Sequence, residues 1–153
     1  MTATWPARVQ RSWQRSVALL ESLQPAAQLA ARLYLAKVFF LSGLTKIRDW
    51  DTTLALFENE YQVPLLSPGV AALLGTGGEL VLPVLLLCGL AGRFAALGLF
   101  VVNAVAVVSL PEVSEAALQQ HQFWGSLLLA LLLWGPGRWS LDALLVQRWQ
   151  QRR

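Results

Sequence analysis

The stretch VLPVLLLCGL, Val81 to Leu90, contains no charged side chain and nothing more polar than Cys88. At 100° per residue a ten-residue helix displays every side of itself, and a helix on the surface of a soluble domain would show a polar stripe. None is present. FWGSLLLALLLW, Phe123 to Trp134, repeats the pattern with Ser126 as its one hydroxyl. The length of 153 residues would allow a soluble domain, but the distribution of apolar side chains points to lipid.

Working outward, the apolar residues gather into blocks at about 28–47, 68–90, 93–110 and 121–136. A span needs about 20 mainly apolar residues at 1.5 Å rise per residue, and the third and fourth blocks reach that length with their flanks. Composition agrees: 56% of residues are hydrophobic and 14% charged, against about 25% charged in an ordinary soluble domain. The expected fold is all-α, an integral membrane four-helix bundle forming a single domain over 1–153.

Charge placement predicts the topology. Arg8, Arg11 and Arg15 precede the first block, Arg93 lies between the second and third, and Arg138, Arg148, Arg152 and Arg153 follow the fourth. The opposite loops hold Arg48, with Lys46 at the boundary, but carry Asp49, Asp51, Glu58, Glu60, Glu112 and Glu115. This bias in Lys and Arg predicts a multi-pass membrane protein with both termini cytoplasmic. The cations form no groove-reading patch, so nucleic acid is not an expected partner. The single cysteine, Cys88, excludes an internal disulfide and reads as a small buried hydrophobe. The apolar run VALLESL is too short, and too charged, for a cleavable signal peptide.

Two amphipathic segments flank the spans. Over 5–23, Trp5, Val9, Trp13, Val17 and Leu20 recur at spacings of three and four opposite Arg8, Arg11 and Arg15. That pattern predicts a helix lying in the headgroup plane. Over 140–150 a second such helix follows the Gly135-Pro136-Gly137 break, with Ser140 as its N-cap. The first external loop should hold a short helix capped by Asp51 or Thr52 and ended by Pro64. Its acidic residues form either a docking face or a solvated lid.

An ionisable side chain at mid-membrane costs roughly 2.5–3.5 kcal/mol and calls for a partner or a role. The candidates are Arg32, Lys37, Lys46, Glu79 and Asn103, with His121 at the periplasmic edge. Counting along each block places Lys37, Glu79 and Asn103 at one level. A Lys37–Glu79 ion pair with Asn103 hydrogen-bonding nearby follows. Arg32 lies about 7 Å nearer the cytoplasm and can snorkel. On a helical projection Arg32, Ala36, Phe39, Gly43 and Lys46 share one face, while Lys37 points about 140° away from Arg32. The expected pair is either a register pin or one wall of a polar pocket. Such a pocket would suit a quinone headgroup, a proton relay or a small polar ligand. His121 reads as an interfacial histidine, and no metal site is expected. There is no phosphate loop, no Ser-His-Asp set and no paired histidines for haem. Independent catalysis is not expected; no cofactor is intrinsic, and a quinone is the one the pocket would admit.

The residues RLYLAKVFFLSGLTKI, GELVLPVLLLCGLAGRFAAL and HQFWGSLLLALLLWGPGRWSLDALL, taken in order, resemble the DoxX family of bacterial inner-membrane proteins over about 29–146. The family pattern falls here on Arg32, on Gly43 with Lys46, on Glu79, on Gly89 with Arg93, and on Gly135, Gly137, Ser140 and Asp142. Lys37 lies outside it. The resemblance implies a membrane subunit similar to the small subunit of a thiosulfate:quinone oxidoreductase. Other relatives are associated with redox-defence enzymes, and a subgroup with maturation of secreted copper-binding peptides; the loop LFENEYQVPLL looks most like that subgroup. The functional expectation is an accessory or scaffold subunit of a redox or peptide-maturation complex, in contact with lipid and a protein partner. Alternatives are a quinone-interacting oxidoreductase subunit and a small-molecule or metal-handling carrier. Oligomeric state, including a homo-oligomer, is left open.

Overall fold

The computed structural model describes residues 7–152, so Trp5 and Arg153 lie outside the described residues. Within them the chain forms α1 (Ala7–Arg48), α2 (Trp50–Asn59), α3 (Pro68–Cys88), α4 (Gly92–Ser109), α5 (Glu115–Trp134) and α6 (Leu141–Gln150), with no strand. Three of these, α1 from Arg8, α3 and α4, are long and apolar enough to cross a membrane. The expectation of a fourth equal span narrows at α5. It has 20 residues, but Gln119, Gln120, His121 and Gln122 make its second turn polar.

Helix ends follow local chemistry. Pro68 opens α3, where its missing N–H costs nothing, and Gly89 closes it in the left-handed region at φ 65°. The Gly89 and Leu90 N–H groups turn back onto the Leu86 and Leu85 carbonyls, satisfying two otherwise orphaned acceptors. Ser114 caps α5 by accepting from the Ala117 N–H, and Ser140 caps α6 by accepting from Ala143, as expected. The cap of α2 is Asp49 rather than Asp51 or Thr52. Its carboxylate takes both the backbone N–H and the hydroxyl of Thr52, so α2 starts one residue after α1 and ends at Asn59, well before Pro64. Those bonds hold the Asp49 carboxyl below the usual carboxylate range.

The separate interfacial helix expected over 5–23 is corrected. From Ala7 the segment is continuous with the first span, and the helix runs through Pro25 without a break. Proline there removes one backbone bond, while Ala26, Ala27, Ala30 and Ala31 after it are the strongest helix formers. Nearly all side chains from Arg8 to Gln24 are exposed, so this part of α1 projects beyond the packed core. Likewise α3 continues through Gly77, Gly78 and Pro83.

α1 packs on α3, α3 on α4, α4 on α5, and α5 returns to α1. Leu35, Phe39, Leu86, Ala95, Ala96, Leu99, Leu128 and Leu131 fill the centre. α2 lies over α3, burying Phe57 against Ala71 and Ala72. The outer faces carry exposed Leu73, Val81, Phe94, Val101, Val108 and Leu133, as a lipid-facing surface requires.

Two glycines set close approaches of different hardness. A Cβ on Gly92 would stand 2.7 Å from Pro136 Cβ, part of a rigid ring, whereas one on Gly98 would stand 2.7 Å from Leu82 Cδ1, the tip of a rotatable side chain. Gly92→Ala is therefore expected to lower stability by about 1–3 kcal/mol. Gly98→Ala should be near neutral, since relief of about 0.5–1 kcal/mol of helix entropy offsets the contact. Thermal unfolding of the two variants in one detergent checks the order.

Candidate functional site

The polar residues separate into two clusters at opposite ends of the α1–α3 contact. At the first, Arg32 is 2% exposed. Its Nε donates to the Leu86 carbonyl at 2.8 Å and one Nη2 bond reaches Leu87 at 2.5 Å. Nη1 donates to Pro136 at 3.0 Å and Trp139 at 2.7 Å. The expected snorkelling is thus corrected: the planar guanidinium turns inward, where last-turn carbonyls of α3 and the α5–α6 link match its fork. Beside it, a Cβ on Gly89 would lie 2.5 Å from Ser140 Cβ and 2.9 Å from Arg32 Nη2.

Asp142 closes the same corner. Its carboxylate accepts from the Ala91 and Gly92 N–H groups, both at 2.8 Å, capping α4 from a different helix, and its own N–H donates to Gly89 at 2.9 Å. Ser140 Oγ donates to the Gly137 carbonyl at 2.6 Å, Gln28 Nε2 to Gly135 at 3.3 Å, and Arg93 Nη2 to Leu133 at 3.3 Å. Arg32, Gly89, Arg93, Gly135, Gly137, Ser140 and Asp142 therefore meet in one corner, with side-chain donors directed at backbone carbonyls. Gln28 belongs to it, and nothing in the local sequence marked that residue. Cys88, expected to be buried, is exposed at this end because it ends α3 on the outer face.

At the second cluster Lys46 Nζ stands 2.5 Å from Glu79 Oε2 and 3.0 Å from Ser42 Oγ. Glu79 is 8% exposed. The partner of Glu79 is thus Lys46, and the expected Lys37–Glu79 pair is corrected. Lys37 is exposed on the outer side of α1. Two physical reasons account for this. Lys46 lies about 40° from Arg32 on the helical projection, on the buried face, while Lys37 lies about 140° away. The helices are also offset: Gly43 faces Leu80 and Glu79, where a Cβ would meet Leu80 Cγ at 2.9 Å. Lys37 shares a groove with Pro83, Val84 and Leu87 instead.

Asn103 bonds to His121 rather than to Glu79. Its Nδ2 donates to the His121 carbonyl at 3.0 Å, and its Oδ1 lies 2.8 Å from His121 Nδ1. With Nδ2 so engaged, Oδ1 is the acceptor and the imidazole proton sits on Nδ1. The His121 ring packs edge-on against Trp124 at 5.0 Å, and Trp124 Nε1 donates to the Tyr34 hydroxyl at 3.1 Å.

Glu79 lines two cavities. One, of about 250 Å³, lies under α2 and is mostly apolar, with Phe57, Leu74 and Val101 in its walls and Lys46, Tyr61 and Ser109 as its other polar residues. The second, of about 320 Å³, is lined by Ser42, Thr45, Asn103, His121 and Trp124. Burial, then the nearby Glu79 and Glu60, pushes the Tyr61 phenol above its ordinary range, so it remains a hydrogen-bond donor. One turn before Glu79, the buried Thr76 hydroxyl has no hydrogen-bond partner among the described residues; no sequence pattern singled it out. Among those residues no three His, Cys, Asp or Glu side chains gather to hold a metal ion.

The DoxX family model matches residues 27–112, more than half of the chain. The chain belongs to the DoxX family. An uncharacterized membrane protein of Mycobacterium tuberculosis is 33% identical over 153 aligned residues, covering 90% of each chain. An uncharacterized protein of Haemophilus influenzae is 31% identical over 126 residues, 76% of this chain and 82% of that one. No solved structure matches significantly. The matched segment of this DoxX protein holds both Arg32 and the Lys46–Glu79 pair. The Gly135–Asp142 turn lies beyond it and is tied back through Arg32 and Gly89.

Removing one partner of a buried ion pair costs about 3–5 kcal/mol. Lys46 retains 21% side-chain exposure, so Lys46→Met is expected at the low end, about 3 kcal/mol. The double variant Lys46→Met/Glu79→Leu should recover most of that loss, whereas Lys37→Met should stay within about 0.5 kcal/mol of the parent. A double-mutant cycle read by thermal unfolding checks this. Equal losses at Lys37 and Lys46 would refute the pairing.

Proposed function

We propose that this DoxX protein is an accessory subunit of a membrane redox or secreted-peptide maturation complex, and that its Lys46–Glu79 pocket receives a quinone headgroup. The observation that carries the reading is the buried carboxylate–ammonium pair at one end of an apolar cavity. A quinone offers two carbonyl acceptors and an apolar body. Lys46 Nζ and the neutral Tyr61 phenol are donors for the carbonyls, and Phe57, Leu74 and Val101 suit the body. The residues around the pocket supply hydrogen bonds and a field but no electrons, so oxidation and reduction belong to a partner enzyme. Exposed Asp51, Glu58 and Glu60, on and beside α2, offer acidic side chains to that partner.

This role places the chain in the bacterial inner membrane as a four-helix bundle with both termini cytoplasmic. Support comes from the ring of contacts α1–α3–α4–α5–α1 and from the Lys and Arg bias at the end where Arg32 and Asp142 meet. Alkaline phosphatase fused after Glu60 should be active and fused after Gln151 inactive. Activity at Gln151 would overturn the topology.

Photolabelling by an azidoquinone, with protection by a short-chain quinone, tests the ligand. A hydrogen bond to a charged group contributes about 1.5–3 kcal/mol, so Lys46→Met should weaken protection at least about ten-fold. Lys37→Met should leave it unchanged. A Lys46→Met protein that inserts normally and labels like the parent would remove the quinone reading.

A further inference from the structure

Lys37 faces outward on the groove between α1 and α3, and no described residue hydrogen-bonds or ion-pairs with it. The groove, of about 410 Å³, is otherwise apolar, with walls from Leu33, Phe40, Leu41, Val84 and Leu87. An unpartnered ammonium against hydrocarbon is costly unless it reaches water or an anion at the interface. Position supplies the anion. Leu87 is the penultimate residue of α3, and Val84 lies three residues earlier, about 4.5 Å along the axis. A lysine at that level can extend its stem along the groove and set its ammonium at the headgroup boundary. The same end carries exposed Arg93 and Arg138.

We propose that this groove is a binding site for an anionic phospholipid, with the headgroup phosphate on Lys37 and one acyl chain along the α1–α3 groove. Two alternatives fit less well. Membrane helices associate through small residues that admit close backbone approach, but these walls are bulky, with Ala36 the small exception. A flexible acyl chain fills such a surface more readily than a second helix. A second copy of this chain brings no free intramembrane carboxylate to Lys37, because Glu79 is held by Lys46 and Asp142 by the α4 N-terminus. The inference is independent of the quinone pocket, which lies on the other side of α1.

The test is lipid retention by native mass spectrometry. Delipidated full-length protein is titrated with dioleoylphosphatidylglycerol or dioleoylphosphatidylcholine in detergent. The parent should prefer the anionic lipid, and Lys37→Met should reduce that preference about five-fold, the equivalent of roughly 1 kcal/mol for a lysine near an anionic surface. Lys37→Arg should keep it. Val84→Trp, which fills the groove without changing charge, should lower retention of both lipids. Thermal unfolding of the same samples confirms that each variant is folded. An unchanged preference in folded Lys37→Met, or unchanged retention in folded Val84→Trp, overturns the assignment. A co-purifying membrane protein lost with Lys37→Met and no lipid preference in the parent would give the groove to a helix and likewise overturn it.

Discussion

The Arg32 guanidinium is the interaction on which the architecture depends. One side chain from α1 satisfies carbonyls at the end of α3 and in the α5–α6 link, so three segments distant in sequence share one charge. A buried backbone carbonyl left without a donor costs about 1–3 kcal/mol. The neighbouring requirements follow from the position of that charge. Gly89 must lack a Cβ because Arg32 and Ser140 occupy its space. Asp142 lies close enough to cap α4 because the turn before α6 is held down by Arg32. A cation of the same charge but different shape would not do this, since an ammonium lacks the planar fork.

Much of this was legible in the sequence, and the failures have a common cause. Helical projection placed Arg32, Ala36, Phe39, Gly43 and Lys46 on one face, and in the structure that face looks inward. Direction around a helix is fixed by 3.6-residue geometry and can be counted. Level along the axis between two helices is not, because it depends on how α1 and α3 slide past one another. Taking each span's midpoint as the same level matched Lys37 with Glu79. The real register sets Lys37 beside Val84, about 7 Å farther along α3. Gly43 carried a readable hint: in a tightly packed pair the glycine marks the closest approach, and here it faces Glu79 and Leu80.

The roles assigned to single residues erred for a related reason. Cost in lipid was read as a reason to escape to the interface, which suited Arg32 as a snorkelling cation. Backbone carbonyls were not counted as partners, because sequence does not show which helix ends converge. Asn103 and His121 satisfy each other across α4 and α5, a pairing that only the packing of those helices creates. The α1 extension shows the opposite error: a separate helix is expected over 5–23, but propensity on both sides of Pro25 carries one helix through it.

Arg32, Lys46 and Lys37 of α1 form a graded series. Arg32 is enclosed by carbonyls, Lys46 is held by one carboxylate and a hydroxyl with part of its side chain exposed, and Lys37 meets the outer surface. The pins at Arg32 and Lys46 fix α1 against α3 at both ends, so the Glu79 carboxylate is held in place by the packing of the two helices. They do not resist change equally. Releasing Arg32 would leave the Leu87, Pro136 and Trp139 carbonyls without a donor at once, while Leu86 keeps the Gly89 N–H; a ligand that engages Lys46 replaces a single partner and leaves Glu79 facing two cavities. The Lys46 end is therefore where this fold can exchange an internal contact for an external one while its helices keep their register.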